Sequence, residues 1–111
     1  MKAETLKGHL DGLLLAVLEA GPTHGYAIID RLRSHSDGRF DLPTGTVYPA
    51  LHRLERAGLV RSRWSTVGGR RRRTYELTPA GHGALGTERA RWLEFAQAMA
   101  SVLLPPRTAT P

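Results

Sequence analysis

Residues 68–73 read Gly-Gly-Arg-Arg-Arg-Arg. Guanidinium groups are planar, permanently charged forks of N–H donors, suited to phosphate oxygens and to the guanine edge. A basic run of this kind is often a solvated tail whose charges repel one another into water. Here it leads straight into Thr74-Tyr75-Glu76-Leu77, where Tyr75 and Leu77 alternate with polar residues as in a strand that needs a core. The Gly-Gly turn and the returning strand therefore hold the charges in a fixed place. A second basic set lies upstream. Thr44, Thr46, Tyr48, His52, Arg53 and Arg56 recur at spacings that put them on or beside one helix face.

Other chemistries find no support. His9, His24, His35, His52 and His82 are scattered, none paired at the i, i+4 spacing of a helical zinc site, and the chain has no cysteine. There is no nucleophile elbow, phosphate-cradling loop or coupled carboxylate pair. No catalytic residue, metal ligand or cofactor is expected, and the chain is not read as an enzyme. The 111 residues are 41% hydrophobic and 23% charged, which suits one globular domain. The net charge is +6, and eight of the sixteen Lys and Arg fall between Arg53 and Arg73. A surplus so placed points to an anionic partner. No apolar run reaches the roughly 18 residues of a membrane span, and the N-terminus lacks a signal-peptide core. A soluble cytoplasmic protein without membrane contact is expected.

The elements that must position these residues follow from periodicity. Leu6, Leu10, Leu13, Leu14, Val17 and Leu18 form one helical stripe, stopped by Gly21-Pro22. Thr23 is expected to cap a second helix carrying Gly25, Ile28, Ile29 and Leu32 on one face. Residues 39–42 alternate, as a short strand or an extended linker. A third helix opens at Pro43-Thr44-Gly45-Thr46 and ends at Gly58, with Val47, Ala50, Leu51 and Leu54 inward and Pro49 in or just past its first turn. Residues 59–77 switch to period two and read as a hairpin turning at Gly68-Gly69. On it Trp64 shares the phase of Val60 and Ser62, which favours core packing. Thr78-Pro79 opens a long helix that Pro105-Pro106 must end near Leu104.

Three helices, a hairpin and a long helix give an α+β, mainly α fold, in the order of a winged helix-turn-helix. In that architecture the third helix enters the major groove of DNA and the hairpin tip reaches a neighbouring backbone. The outward face of the third helix carries Gly45, Pro49, His52, Arg53 and Arg56, with Thr46 and Tyr48 on its flanks. Thr44 or Thr46, with free amides at the helix start, can hold a phosphate oxygen. Tyr26 and Tyr48 could donate to phosphate or pack between helices. A winged helix used for protein–protein contact is the rival reading, but its wing would be acidic or apolar rather than four arginines.

The long helix carries Leu85, Trp92, Phe95, Met99 and Val102 at heptad spacing, with Glu88 in one seam position. A helix of about 25 residues spans roughly 37 Å, so much of this seam should protrude from a small domain and bind a twofold partner. Three units are expected: a DNA-binding domain over 5–78, a C-terminal dimerisation helix over 79–104, and a disordered tail over 105–111. Two recognition helices would read a roughly palindromic duplex site.

Several segments resemble the PadR family of bacterial transcriptional regulators: His24-Gly25-Tyr26, residues 43–55 (PTGTVYPALHRLE), residues 57–60 (AGLV), residues 68–75 (GGRRRRTY) and residues 77–81 (LTPAG). The resemblance covers the chain from Leu10 to about Leu103 and is closest to the subfamily with one helix after the wing. It implies a homodimeric DNA-binding repressor, often released by a small molecule. By position it places Thr46, Tyr48 and Arg53 in the recognition-helix region, and Gly69, Arg70, Arg71 and Arg72 at the wing tip. In multidrug-responsive relatives a tryptophan fifteen residues after the Leu of the L-T-x-x-G motif lines a dimer-interface pocket. Trp92 has that spacing from Leu77. The resemblance thus implies a small hydrophobic effector at Trp92, although such a tryptophan is more often a plain dimer-core residue than part of a ligand box.

Overall fold

The computed structural model describes residues 3–6 and 8–106. A 3-10 turn at Ala3–Leu6 leads to α1 (Leu10–Leu18), then β1 (Thr23–His24), α2 (Gly25–His35), α3 (Thr44–Arg56), β2 (Val60–Val67), β3 (Arg70–Leu77) and α4 (Pro79–Leu103). The three strands form one antiparallel sheet in the order β1-β3-β2. The molecule is mainly helical, and the winged helix-turn-helix order expected from the sequence is the one observed.

The apolar faces meet as their spacing requires. Leu14, Leu15 and Leu18 of α1, Ile28 and Leu32 of α2, and Val47, Leu51 and Leu54 of α3 are buried together. Val60, Tyr75 and Leu77 close this core from the base of the sheet. Residues 39–43 form an extended linker rather than a strand; Leu42 is buried and Phe40 packs against the core. The stripe expected as one helix from Leu6 is broken. Gly8, at φ 86°, takes a left-handed turn, and Leu6 reaches the core from the preceding 3-10 turn.

Thr23 does not cap α2. It pairs with Tyr75, and His24 pairs with Thr74, so both residues form a short third strand on the outer edge of β3. His24 takes the capping role, its Nδ1 accepting from the Ala27 amide at 3.4 Å. The unpaired edge of β3 draws in the nearest extended backbone, which satisfies groups that would otherwise be left open.

Helix α3 ends where Gly58 turns left-handed at φ 77°, and the Leu59 amide donates back to the Leu54 carbonyl at 3.0 Å. Pro49 lies inside α3 on its exposed side, where the missing amide leaves only the Gly45 carbonyl without its helical donor. The junction with α4 is tight. Thr78 caps α4, its Oγ1 accepting from the Gly81 amide at 3.0 Å and donating to the Gly58 carbonyl at 2.6 Å. Gly81 lies directly against the Leu59 carbonyl; a Cβ there would collide with that oxygen and stand 3.0 Å from its carbon.

The far half of α4 projects from the domain, giving extents of 67 × 28 × 23 Å and a radius of gyration of 16.8 Å. At Leu104 the backbone leaves the helix ahead of Pro105 and Pro106. Most of the expected disordered tail, residues 107–111, lies outside the described residues.

Candidate nucleic-acid interface

Helix α3 buries Val47, Ala50, Leu51 and Leu54, which turns the opposite face to solvent. Thr44, Gly45, Pro49, His52, Arg53 and Arg56 are exposed or half-buried there, and Thr46 and Tyr48 are half-buried at its flanks. Pro43 has no side chain that can cap the helix. Its carbonyl accepts from the Thr46 and Val47 amides, and the earlier amides of Thr44 and Gly45 have no acceptor among the described residues. Those two donors, at the positive end of the helix, suit an anion. Tyr48 is fixed rather than free. Its ring fills the space a side chain at Gly25 would need and meets Tyr26 edge-on, centroids 6.4 Å apart. Burial raises its phenol pKa above the ordinary value; like any tyrosine it keeps its proton at neutral pH and can donate a hydrogen bond.

The wing is an eight-residue β2 paired in full register with an eight-residue β3, closed by Gly68 and Gly69 at φ 58° and 78°. Two successive positive φ angles are what a two-residue hairpin turn requires. Arg61 Nε donates to Glu76 at 2.7 Å, and the hydroxyls of Ser65 and Thr74 lie 2.9 Å apart across the strands.

The four arginines have different surroundings. Arg70, at the tip, is exposed with no partner among the described residues. Arg71 lies over the Trp64 ring, 5.1 Å from its centroid, and Arg73 lies 5.6 Å from the same ring. The Nη1 of Arg72 is 3.0 Å from Nε2 of His24. Arg73 Nε donates to Ser62 Oγ at 2.8 Å. Glu55 of α3 joins this group, accepting from the amide and hydroxyl of Ser62 at 3.1 and 2.6 Å, with Arg73 at 3.6 Å. The recognition helix and the wing are thus tied through one half-buried carboxylate.

Trp64 departs from expectation. Its phase does match Val60 and Ser62, yet it is 56% exposed. The core ends under Ser62. Beyond it the hairpin runs past the helices, and the residues opposite and diagonal to Trp64 are Arg73 and Arg71. With Tyr26, Tyr48, His52, Arg71 and Arg72, Trp64 lines a groove of about 490 Å³ between the helices and the wing. The groove therefore brings Tyr48 and His52 of α3 beside the wing arginines, while Thr44, Thr46, Arg53 and Arg56 do not line it. His24 and Trp64 complete its lining, and Glu55 ties the wing to α3 outside it. No local pattern marks these three, because what each meets belongs to another element.

The seam of α4 also divides. Leu85, expected at its head, is only 2% exposed and belongs to the domain's own core, where α4 packs on α1. It is not available to a partner. Trp92 and Phe95 are 60% and 56% exposed, and Met99 and Val102 continue the open stripe with Leu93, Leu103 and Leu104. Trp92 and Phe95 also border a groove of about 630 Å³ between α4 and α1, floored by Leu13 and Phe40 and edged by Glu88 and Arg89. Arg89 anchors the root of α4, donating from both terminal nitrogens to the Glu19 carboxylate at 2.8 Å. Those hydrogen bonds hold the Glu19 carboxyl below the usual carboxylate range. Among the described residues no cluster could hold a metal ion, and no helix is long and apolar enough to cross a membrane.

Comparison with known proteins places this arrangement among transcriptional regulators. Residues 14–87 match the model of the transcriptional regulator PadR-like family. Transcriptional regulator Rv3488 of Mycobacterium tuberculosis is 42% identical over 74 residues, covering 67% of this chain and 66% of the relative, just under two thirds of its length. A PadR family transcription regulator from Clostridium difficile is 31% identical with a TM-score of 0.76, covering 86% of this chain and 98% of that one. A padr family transcriptional regulator from Eggerthella lenta is 30% identical with a TM-score of 0.79, covering 93% and 88% of the two chains.

Proposed function

The chain belongs to the PadR-like family of transcriptional regulators, and from that premise we propose that it binds a roughly palindromic duplex operator as a homodimer and represses transcription until a small hydrophobic ligand releases it. The family and the relatives are regulators of transcription, not enzymes. The observation that carries the reading is the shared groove. It sets His52 and Tyr48 of α3 beside the arginines of a stiff wing. In this reading α3 enters the major groove, where Arg53 and His52 meet base edges and Arg56 meets the backbone. Thr44, Thr46 and Tyr48 hold phosphate at its start. Gly69 lets the turn approach closely, and Arg70, Arg71 and Arg72 grip the flanking backbone.

A mobility-shift titration with duplex DNA at two salt concentrations tests this. The expected result is sequence-dependent binding whose log–log salt slope is about −0.9 per phosphate neutralised. Binding indifferent to sequence, or absent at physiological salt, would overturn it.

Residues 5–78 form the DNA-binding unit in this proposal, and 79–104 the dimerisation helix. Trp92, Phe95, Met99 and Val102 make an apolar stripe on a projecting helix, a surface that a second copy would cover. Phe95→Asp is expected to raise the dimer dissociation constant by at least about tenfold, because it places a charge in that seam. Sedimentation should show monomers and the mobility shift a matching loss of operator affinity. A variant still dimeric at micromolar concentration would place the seam elsewhere. The groove beside Trp92 is the place for the effector, and a flat apolar ligand would suit its aromatic walls.

A further inference from the structure

One ion pair crosses from outside the helix-turn-helix to its reading face. Asp11, in the first turn of α1, accepts a hydrogen bond at Oδ1 from Nη2 of Arg53 on α3. The two residues are 42 positions apart in sequence. Both side chains remain about half exposed, at 58% for Arg53 and 46% for Asp11. Arg53 is therefore tethered at one nitrogen while its other N–H donors stay available. Other cations of the interface differ. Arg56 and Arg70 have no partner among the described residues, and the partners of Arg71, Arg72 and Arg73 lie in the wing or its groove.

We infer that Asp11 is a specificity-determining positioning residue: it sets the pose in which Arg53 meets the base edge, at the expense of general affinity. The inference rests on the DNA-binding reading above. Two opposite effects follow from one carboxylate. Its negative charge opposes the phosphate backbone of any duplex, whatever the sequence. Its hold on Arg53 favours only duplexes that present an acceptor pair where the tethered guanidinium points. An untethered arginine can swing to phosphate and bind every sequence; a tethered one has fewer poses to lose and fewer wrong partners to find. Asp11 touches no DNA in this scheme and acts through Arg53 alone. A surface ion pair contributes little to stability, so its removal should leave the fold intact.

Wild type, Asp11→Asn, Asp11→Glu and Arg53→Ala are each used to select from a random-core duplex pool. Each is then titrated against the duplex that wild type enriches most and against a scrambled duplex of the same composition. For Asp11→Asn, affinity for the scrambled duplex should stay level or rise about twofold. Preference for the enriched duplex over the scrambled one should fall about three- to tenfold, part of the discrimination one bidentate arginine supplies. Asp11→Glu should restore part of that preference. In an Arg53→Ala background, Asp11→Asn should leave the preference unchanged.

An unchanged preference in Asp11→Asn overturns the inference. So does a proportional loss on both duplexes accompanied by a lower melting temperature, which marks a structural role. A rise on both by the same factor would make Asp11 a plain charge and overturn it as well. If wild type itself enriches no sequence, the DNA-binding reading falls and this inference with it.

Discussion

Replacing Arg70, Arg71 and Arg72 together with alanine is expected to lower affinity for every duplex, specific or not, by about two orders of magnitude near physiological salt. The log–log salt slope should flatten by up to about 2.7 per protomer, 0.9 for each phosphate that the three arginines no longer neutralise. The effect is large because the charges are held in place. Gly68 and Gly69 close the turn, the strands pair without a bulge from Val60↔Leu77 to Val67↔Arg70, and Trp64 supports Arg71. Little ordering is left to be done on binding. The fold should survive, since Arg70 and Arg71 are exposed and Arg72 is half-buried at the surface, meeting only the His24 ring. Circular dichroism would verify that, and the mobility shift at two salt concentrations would measure the rest. Affinity and slope equal to wild type would remove the wing from the interface.

Gly81→Ala should damage the protein by another route. Alanine inside a helix is normally better than glycine by about 1 kcal/mol. At this position the new methyl group would collide with the Leu59 carbonyl oxygen. That oxygen cannot step aside. It accepts from the Thr78 amide at 3.1 Å, and its peptide joins the end of α3 to the start of β2. A clash with backbone costs more than one with a flexible side chain, and overpacking outweighs propensity here by about 2–4 kcal/mol net. For a chain of this size the melting temperature should fall by about 10 °C or more at fixed protein concentration. Gly83→Ala is the control. Nothing lies within 4 Å of the added atom, so propensity alone acts and a small gain in stability is expected. A Gly81→Ala protein that melts at or above wild type would show that α4 can shift without loss.

Local periodicity makes most of this architecture legible from the sequence. The inward faces of α3 and of the hairpin follow from spacings of 3.6 and two, and the Gly-Gly turn and the Thr78-Pro79 cap are signals read from adjacent residues. The departures share one physical cause: a pattern shows which face a residue takes, and not what lies opposite that face. Its phase puts Trp64 on the right side of the hairpin, but the core stops one pair short of it. Heptad spacing puts Leu85 on the right stripe of α4, but the partner that buries it is its own domain. The Thr23–His24 strand is too short to alternate, and the edge that recruits it lies near residue 75. Asp11 with Arg53 and Glu55 with Ser62 join elements that only the folded chain brings together. Thus local pattern can place the interface on its two elements, but it cannot reveal the contacts that aim the side chains.

The short strand β1 has a consequence for how the molecule comes to exist. Thr23 and His24 leave the ribosome long before the central strand they need, and the pairing Thr23↔Tyr75 closes a loop that contains both reading elements. Until Leu77 emerges, the nascent chain can form helices but cannot seat the second of them against a sheet. Closing so long a loop costs more chain entropy than closing the local hairpin. The sheet is therefore completed last, and a chain cut short before Tyr75 would lack Tyr75 and Leu77, the buried residues by which β3 closes the core.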